Sequence, residues 1–176
     1  MGLVEGKVAI ITGAGANIGE ACAKMLAKNG ASVVVADINM DGAERVAGEI
    51  NTSGSTAMAR TVNLAEEASI AALVKAVMAR FGRIDILHNN AANTGAAQMT
   101  RDASLAEMDA EVWDAAFDIN TRGTMLMTKH VAPHMAAGGG GSIINTSSGV
   151  SLLGDILNPA YSSSKAAVNA LTRNTA

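Results

Sequence analysis

Aromatic side chains are nearly missing from this sequence: one tyrosine, one tryptophan and two phenylalanines stand among 176 residues. A single cysteine, Cys22, excludes a disulfide framework and a cysteine metal cluster, and it reads as a small buried apolar residue. There is no basic excess. The net charge is -3 and the thirteen Lys and Arg are scattered, which removes nucleic acid as a main partner. No apolar run approaches the roughly 18 residues of a membrane span. The start "MGLVEGKVAIITG" enters a strand pattern rather than a signal peptide, so a cytoplasmic protein is expected, without a membrane partner. Gly6 stands where a myristoylation signal wants Ser or Thr.

What is present is a chain that is 49% hydrophobic, enough for one globular domain and too short for two. Short β-branched runs ("KVAIIT", "SVVVAD", "AMARTVN", "IDILHNN", "SIINTSS") alternate with Ala-rich helical stretches, among them a long one from about Met108 to Ala137. The strands are near-continuous apolar runs, which predicts a parallel sheet covered on both faces. Ile70, Leu73, Val74, Val77, Met78 and Phe81 form the apolar stripe of a helix packing onto it. Right-handed crossovers then predict a doubly wound, Rossmann-like α/β fold.

Between the first strand and first helix stands "TGAGANIG", Thr12 to Gly19. Glycines there let the backbone approach a pyrophosphate, and the helix N-terminus supplies free N–H donors. The spacing departs from G-x-G-x-x-G, because Ile18 holds the last glycine's place counted from Gly13, so an ordinary strand-to-helix turn is an even rival. Asp37, at the end of the second strand, supports the nucleotide reading. Its carboxylate can accept hydrogen bonds from the adenosine ribose and would repel a 2′-phosphate, which favours NAD over NADP.

The lone tyrosine, Tyr161, stands four residues before Lys165 on the first turns of the last helix. That spacing puts both on one helix face and predicts an ammonium close to the phenol oxygen. One unit charge at about 4 Å and an effective dielectric of about 20 supplies roughly 4 kcal/mol in favour of phenolate. A phenol so placed serves as general base for alcohol oxidation and as general acid for ketone reduction. Ser148, at the end of the fifth strand, is the third member of the pattern.

These motifs make the chain resemble the short-chain dehydrogenase/reductase family, in its compact single-domain branch, from Lys7 onward. The family's T-G-x-x-x-G-x-G falls on Thr12 to Gly19, its N-N-A-G on Asn89 to Ala92, its helix asparagine on Asn120, its serine on Ser148 and its Y-x-x-x-K on Tyr161 and Lys165. The resemblance implies Tyr161 as acid/base and Lys165 as the group that tunes it and binds the nicotinamide ribose. It implies Ser148 as holder of the substrate oxygen and Asn120 as support for a water-mediated proton path. It places the dinucleotide on Thr12, Gly13, Gly15, Asn17, Ile18, Gly19, Asp37, Asn63, Leu64, Asn90 and Ala91, together with Tyr161 and Lys165. The implied activity is hydride transfer between NAD and a secondary alcohol or its ketone, by a homo-oligomer, dimer or tetramer. It also implies that residues 1–176 are one dinucleotide-binding domain, truncated after the fifth strand and its helix, missing the C-terminal strands and substrate lid.

Three positions depart from the pattern: Asn17 replaces a glycine but tolerates the left-handed conformation, Asn63 replaces an aspartate, and Ala92 adds a methyl. No metal site is expected, since His130 and His134 in "HVAPH" lack a third ligand. His88 reads as a core histidine. Trp113 and Phe117 read as packing, with a subunit contact behind it. Leu152, Leu153, Ile156 and Leu157 hint at apolar substrate contact. Two other functions compete: a non-catalytic dinucleotide-binding or interaction protein, and a sugar-nucleotide epimerase, against which Ala16 stands where a glycine is needed.

Overall fold

The computed structural model describes residues 2–176. Five parallel strands, β1 (Val8–Thr12), β2 (Ser32–Asp37), β3 (Ala57–Thr61), β4 (Ile86–Asn89) and β5 (Ser142–Asn145), lie in the order β3-β2-β1-β4-β5. Around them run α1 (Asn17–Lys28), α2 (Met40–Thr52), α3 (Glu67–Phe81), α4 (Ala96–Met99), α5 (Ala110–Phe117), α6 (Gly123–Ala137), α7 (Val150–Leu153) and α8 (Pro159–Thr175). The register sets Val8 against Ser32, Ala9 against Ile86 and Ile86 against Ser142.

Alternation along each strand builds two cores. Val8, Ile10, Val34 and Leu87 face α3 and α6, meeting Ile70, Leu73, Val77, Leu126, Met127 and Val131. Ala9, Ile11, Val33 and Val35 face α1 and α2, where Ala23, Ala27, Ala43 and Ala47 let those helices approach closely. Helices thus lie on both faces, and the doubly wound parallel fold is as expected.

Coverage is less complete than the apolar runs imply. β1 and β4 are buried throughout, and β2 except at its ends, whereas β3 and β5, at the two edges, are partly exposed, and Ile144 is 47% exposed. An edge strand lacks a neighbour, so its side chains keep more water than central ones. Cys22 is half-buried rather than buried, because it lies beside the inward row of α1.

The long helix predicted from about Met108 is also corrected. α5 and α6 are joined by a π-helical turn over Asp118–Arg122, and Asn120 sits within it, fully buried. Such turns displace one residue from the regular ladder and frequently mark functional positions.

Candidate active site

The carboxyl ends of β2, β1, β4 and β5 open onto one cavity of about 590 Å³. It straddles the junction of β1 and β4, on whose two sides the crossovers run in opposite directions, which is where ligands bind in open α/β sheets. In sheet order its wall carries Asp37 and Ile38 after β2, then Gly13, Asn17, Ile18 and Gly19 after β1. Asn90, Ala91 and Ala92 follow after β4, and Thr146, Tyr161 and Lys165 close the far end. Asn63 and Leu64 line it as well.

Close backbone approach shapes the glycine turn. Gly13 has φ +64°, and a Cβ there would stand 2.9 Å from Ala91 Cα. A Cβ on Gly19 would overlap the Gly13 carbonyl oxygen and reach within 2.8 Å of Asn90 Nδ2. Both obstacles are held, since Asn90 Nδ2 donates to the carbonyls of Thr12 at 3.1 Å and Gly13 at 3.2 Å. Asn17 adopts φ +52°, the left-handed conformation anticipated for it, at the first turn of α1. Gly19→Ala should therefore lower stability by about 3 kcal/mol or more and abolish dinucleotide binding. A thermal melt and an NADH titration check it; normal affinity would mean that the turn can widen.

Thr12 and Gly15 serve behind the wall rather than on it. Thr12 is fully buried, and its Oγ1 accepts the N–H groups of Asn90 at 3.1 Å and Ala91 at 3.2 Å, tying β1 to β4. Gly15 N–H donates to Asp37 Oδ2 at 2.8 Å, while Asn39 N–H donates to Oδ1 at 2.9 Å. The Asp37 carboxylate is thus fixed at one end of the cavity. Sequence reasoning missed Arg45, a cation beside this turn whose Nη2 donates to the Gly15 carbonyl at 3.1 Å. Its charge is met by Glu20 at 2.6 Å and Glu49 at 2.8 Å, and the Arg45 hydrogen bond, with that of Lys24, lowers the Glu20 carboxyl to about 2.

At the other end Lys165 is 2% exposed. Its Nζ donates to the Thr146 carbonyl at 2.8 Å and lies 5.9 Å from the centroid of the Tyr161 ring. Burial pushes the Lys165 ammonium down to about 8. Thr146 also meets His88 Nε2 through its hydroxyl at 2.9 Å. Burial lowers the His88 pKa, so this core histidine is neutral.

Asn120 and Ser148 are placed differently from Tyr161 and Lys165. Asn120 Oδ1 accepts the Asn93 N–H at 2.7 Å and its Nδ2 donates to Ser164 Oγ at 2.9 Å, so this side chain braces the π turn against α8 from behind the cavity. Ser148 is half-buried outside the cavity wall, and its carbonyl accepts the Ser151 N–H at 3.1 Å. Leu152, Leu153, Ile156 and Leu157 are 71–90% exposed and also outside the wall. His130 contacts Glu67 at 3.0 Å, and among the described residues no group of three or more ligating side chains could hold a metal ion. Among the described residues no helix is long and apolar enough to cross a membrane.

The sequence model of the family described as short chain dehydrogenase matches residues 7–176. The chain belongs to the short chain dehydrogenase family. Among relatives within or akin to this family, the protein named "Probable short-chain type dehydrogenase/reductase blr2146" of Bradyrhizobium diazoefficiens is 50% identical over 177 residues, covering 100% of this chain and 62% of its own length. NAD+-bound xylitol dehydrogenase superposes with a TM-score of 0.92 at 32% identity, over 99% of this chain and 65% of that one. A 7α-hydroxysteroid dehydrogenase complexed with NADH and 7-oxo glycochenodeoxycholic acid gives 0.88 at 37% identity, over 97% and 64%. The chain thus spans under two thirds of the length of these three proteins.

Proposed function

We propose that this chain is the dinucleotide-binding, proton-transferring part of an NAD-dependent oxidoreductase acting on a secondary alcohol or its ketone. One observation carries the reading: the glycine turn, the Asp37 carboxylate, Tyr161 and Lys165 all border a single cavity. The cradle fits a dinucleotide, since Gly13 and Gly19 border the cavity in a turn packed so closely on Ala91 and Asn90 that a side chain at either would force it apart. Gly13, Asn17, Ile18 and Gly19 would hold the pyrophosphate, Asp37 the adenosine ribose, Asn63 and Leu64 the adenine, and Asn90, Ala91 and Lys165 the nicotinamide ribose. Thr12 and Gly15 fix that cradle from behind. When bound, the nicotinamide would take or give the hydride.

The chain's own work is proton management. Tyr161 takes the alcohol proton in oxidation and returns one in reduction. Lys165 supplies a positive charge against the negative charge that develops on the phenol oxygen. Asn120, through Asn93 and Ser164, keeps the loop after β4 and the helix that carries Tyr161 in register. Ser148 orients the substrate oxygen once substrate draws its hydroxyl inward. The reading carries with it a cytoplasmic homo-oligomer, which light scattering checks.

The test is an NADH titration of the chain, followed by an assay for alcohol-dependent NAD reduction over a panel of secondary alcohols with the whole product of its gene. Failure to bind NADH sinks the proposal. Binding without turnover in the whole product favours the non-catalytic alternative, to which the position of Ser148 off the wall lends weight.

Preference for NAD rests on Asp37, with Arg45 already engaged by Glu20 and Glu49. Asp37→Asn keeps the shape and removes the charge that a 2′-phosphate would meet. The ratio of kcat/KM for NAD to that for NADP should fall about tenfold or more, since like charges a few ångströms apart cost on the order of 1–4 kcal/mol at the protein surface. An unchanged ratio would remove Asp37 from cofactor discrimination.

A further inference from the structure

We propose that Asp102 is the positioning residue for Tyr161, an inference that rests on the reading of Tyr161 as the acid/base. Asp102 follows α4 and is 2% exposed. Its Oδ1 accepts the N–H of Ala160 at 3.0 Å and its Oδ2 the N–H of Tyr161 at 2.9 Å. Those are the first two donors of α8, because Pro159 at its first position has no N–H. The cap residue Asn158 makes no side-chain cap bond; its Nδ2 donates to Asp155 at 3.2 Å. A buried carboxylate from a distant loop therefore does what a local cap does in most helices, and it grips the amide of Tyr161 itself. Arg101, next to it in sequence, is engaged by Asp109 at 2.6 Å, so the Asp102 charge is met by the helix amides and the positive end of α8.

The loop that carries Asp102 is anchored in turn. Asp102 N–H donates to the Gln98 carbonyl at 3.0 Å, Gln98 Nε2 to the Val112 carbonyl at 2.7 Å, and Asn93 Nδ2 to Gln98 Oε1 at 3.2 Å. Asn93 is bonded to Asn120, and Asn120 to Ser164, which lies one turn after Tyr161 on α8. The network closes on itself. Asp102 fixes α8 at Tyr161 and Asn120 fixes it at Ser164, so the rotation of the helix about its axis, and with it the direction of the phenol, is set by two points that bracket that residue.

Tyr161 and Trp113 are the sole tyrosine and tryptophan of the chain, so a ring-labelled tyrosine and a labelled indole each give one NMR signal. In Asp102→Ala the tyrosine signal should shift and broaden while the Trp113 signal on α5 holds its place, with Asp102→Asn intermediate. In the whole product of the gene, kcat per NADH-binding site should fall about 10–100-fold in Asp102→Ala, with NADH affinity kept within about twofold, as expected when a reacting group is misplaced rather than removed. Where Asp102→Ala does not fold, Asp102→Asn decides. An unmoved tyrosine signal overturns the proposal. So does collapse of both signals together in both variants, which makes Asp102 a general folding residue. Retained turnover in Tyr161→Phe defeats the acid/base reading and leaves the NMR result standing; an inactive Tyr161→Phe beside unchanged kcat in the Asp102 variants defeats the positioning role alone.

Discussion

Replacing Tyr161 with phenylalanine should reduce turnover about 10²–10⁴-fold while NADH affinity changes by less than about twofold. The reduction corresponds to roughly 3–5 kcal/mol of barrier, the size of a positioned proton donor and acceptor. Phenylalanine keeps the ring on the cavity wall and keeps the Lys165 ammonium over its face. The bonds that hold Tyr161 in place run through its backbone, N–H to Asp102 at 2.9 Å and carbonyl from Ser164 Oγ at 2.7 Å, so the variant retains the helix start. Steady-state rates beside a fluorescence titration of NADH separate the two effects. Turnover within tenfold of the parent would assign the proton to another group.

The central fold was legible because its cause is local: β1 and β2 are apolar on both faces over most of their length, and the runs "VAIIT" and "SVVVAD" announce that directly. The two edges were not, since the sequence of β3 or β5 does not state how many neighbours it has. The π turn was hidden for a similar reason. Nothing in "AAFDINTRG" breaks helical periodicity; the bulge is set by what Asn120 must reach, namely Asn93 in one loop and Ser164 in another helix. At the site, Asp37, Tyr161 and Lys165 are legible by spacing along the chain. Asp102, Thr146 and Arg45 are not, because their partners lie 58, 19 and 30 residues away and no short motif encodes them. One hint was available: a helix opening on Asn-Pro has only the next amides to satisfy, which asks for an acceptor from elsewhere.

Lys165→Met should combine the loss of turnover with a gain in stability whose sign depends on pH. Burial pushes the Lys165 ammonium from its ordinary 10.5 down to about 8, so the folded chain bears the cost of a desolvated charge. Below pH 8 the lysine is charged in both states and that cost, roughly 3 kcal/mol, is present in full. Between pH 8 and 10.5 the folded state has released its proton while the unfolded state still holds it, so wild-type stability rises with pH through this window. Above the window both states are neutral and the cost is gone. Methionine fills the same space without charge, but leaves the Thr146 carbonyl without the donor it has at 2.8 Å, a loss of about 1 kcal/mol. The net expectation at pH 7 is a variant about 2 kcal/mol more stable, melting roughly 4–8 °C higher. At pH 10 the two should melt nearly together, because the folded wild-type lysine is then neutral and keeps its hydrogen bond while the unfolded chain still holds most of its proton; the order reverses only above the window. Turnover at pH 7 should fall about 10²–10³-fold, since a charge facing the developing phenolate has been removed. Melting curves at pH 7 and pH 10 decide the matter: a variant less stable at pH 7 would show that the buried ammonium contributes more to holding the fold than its desolvation costs, and the account of Lys165 as a destabilised functional group would fail.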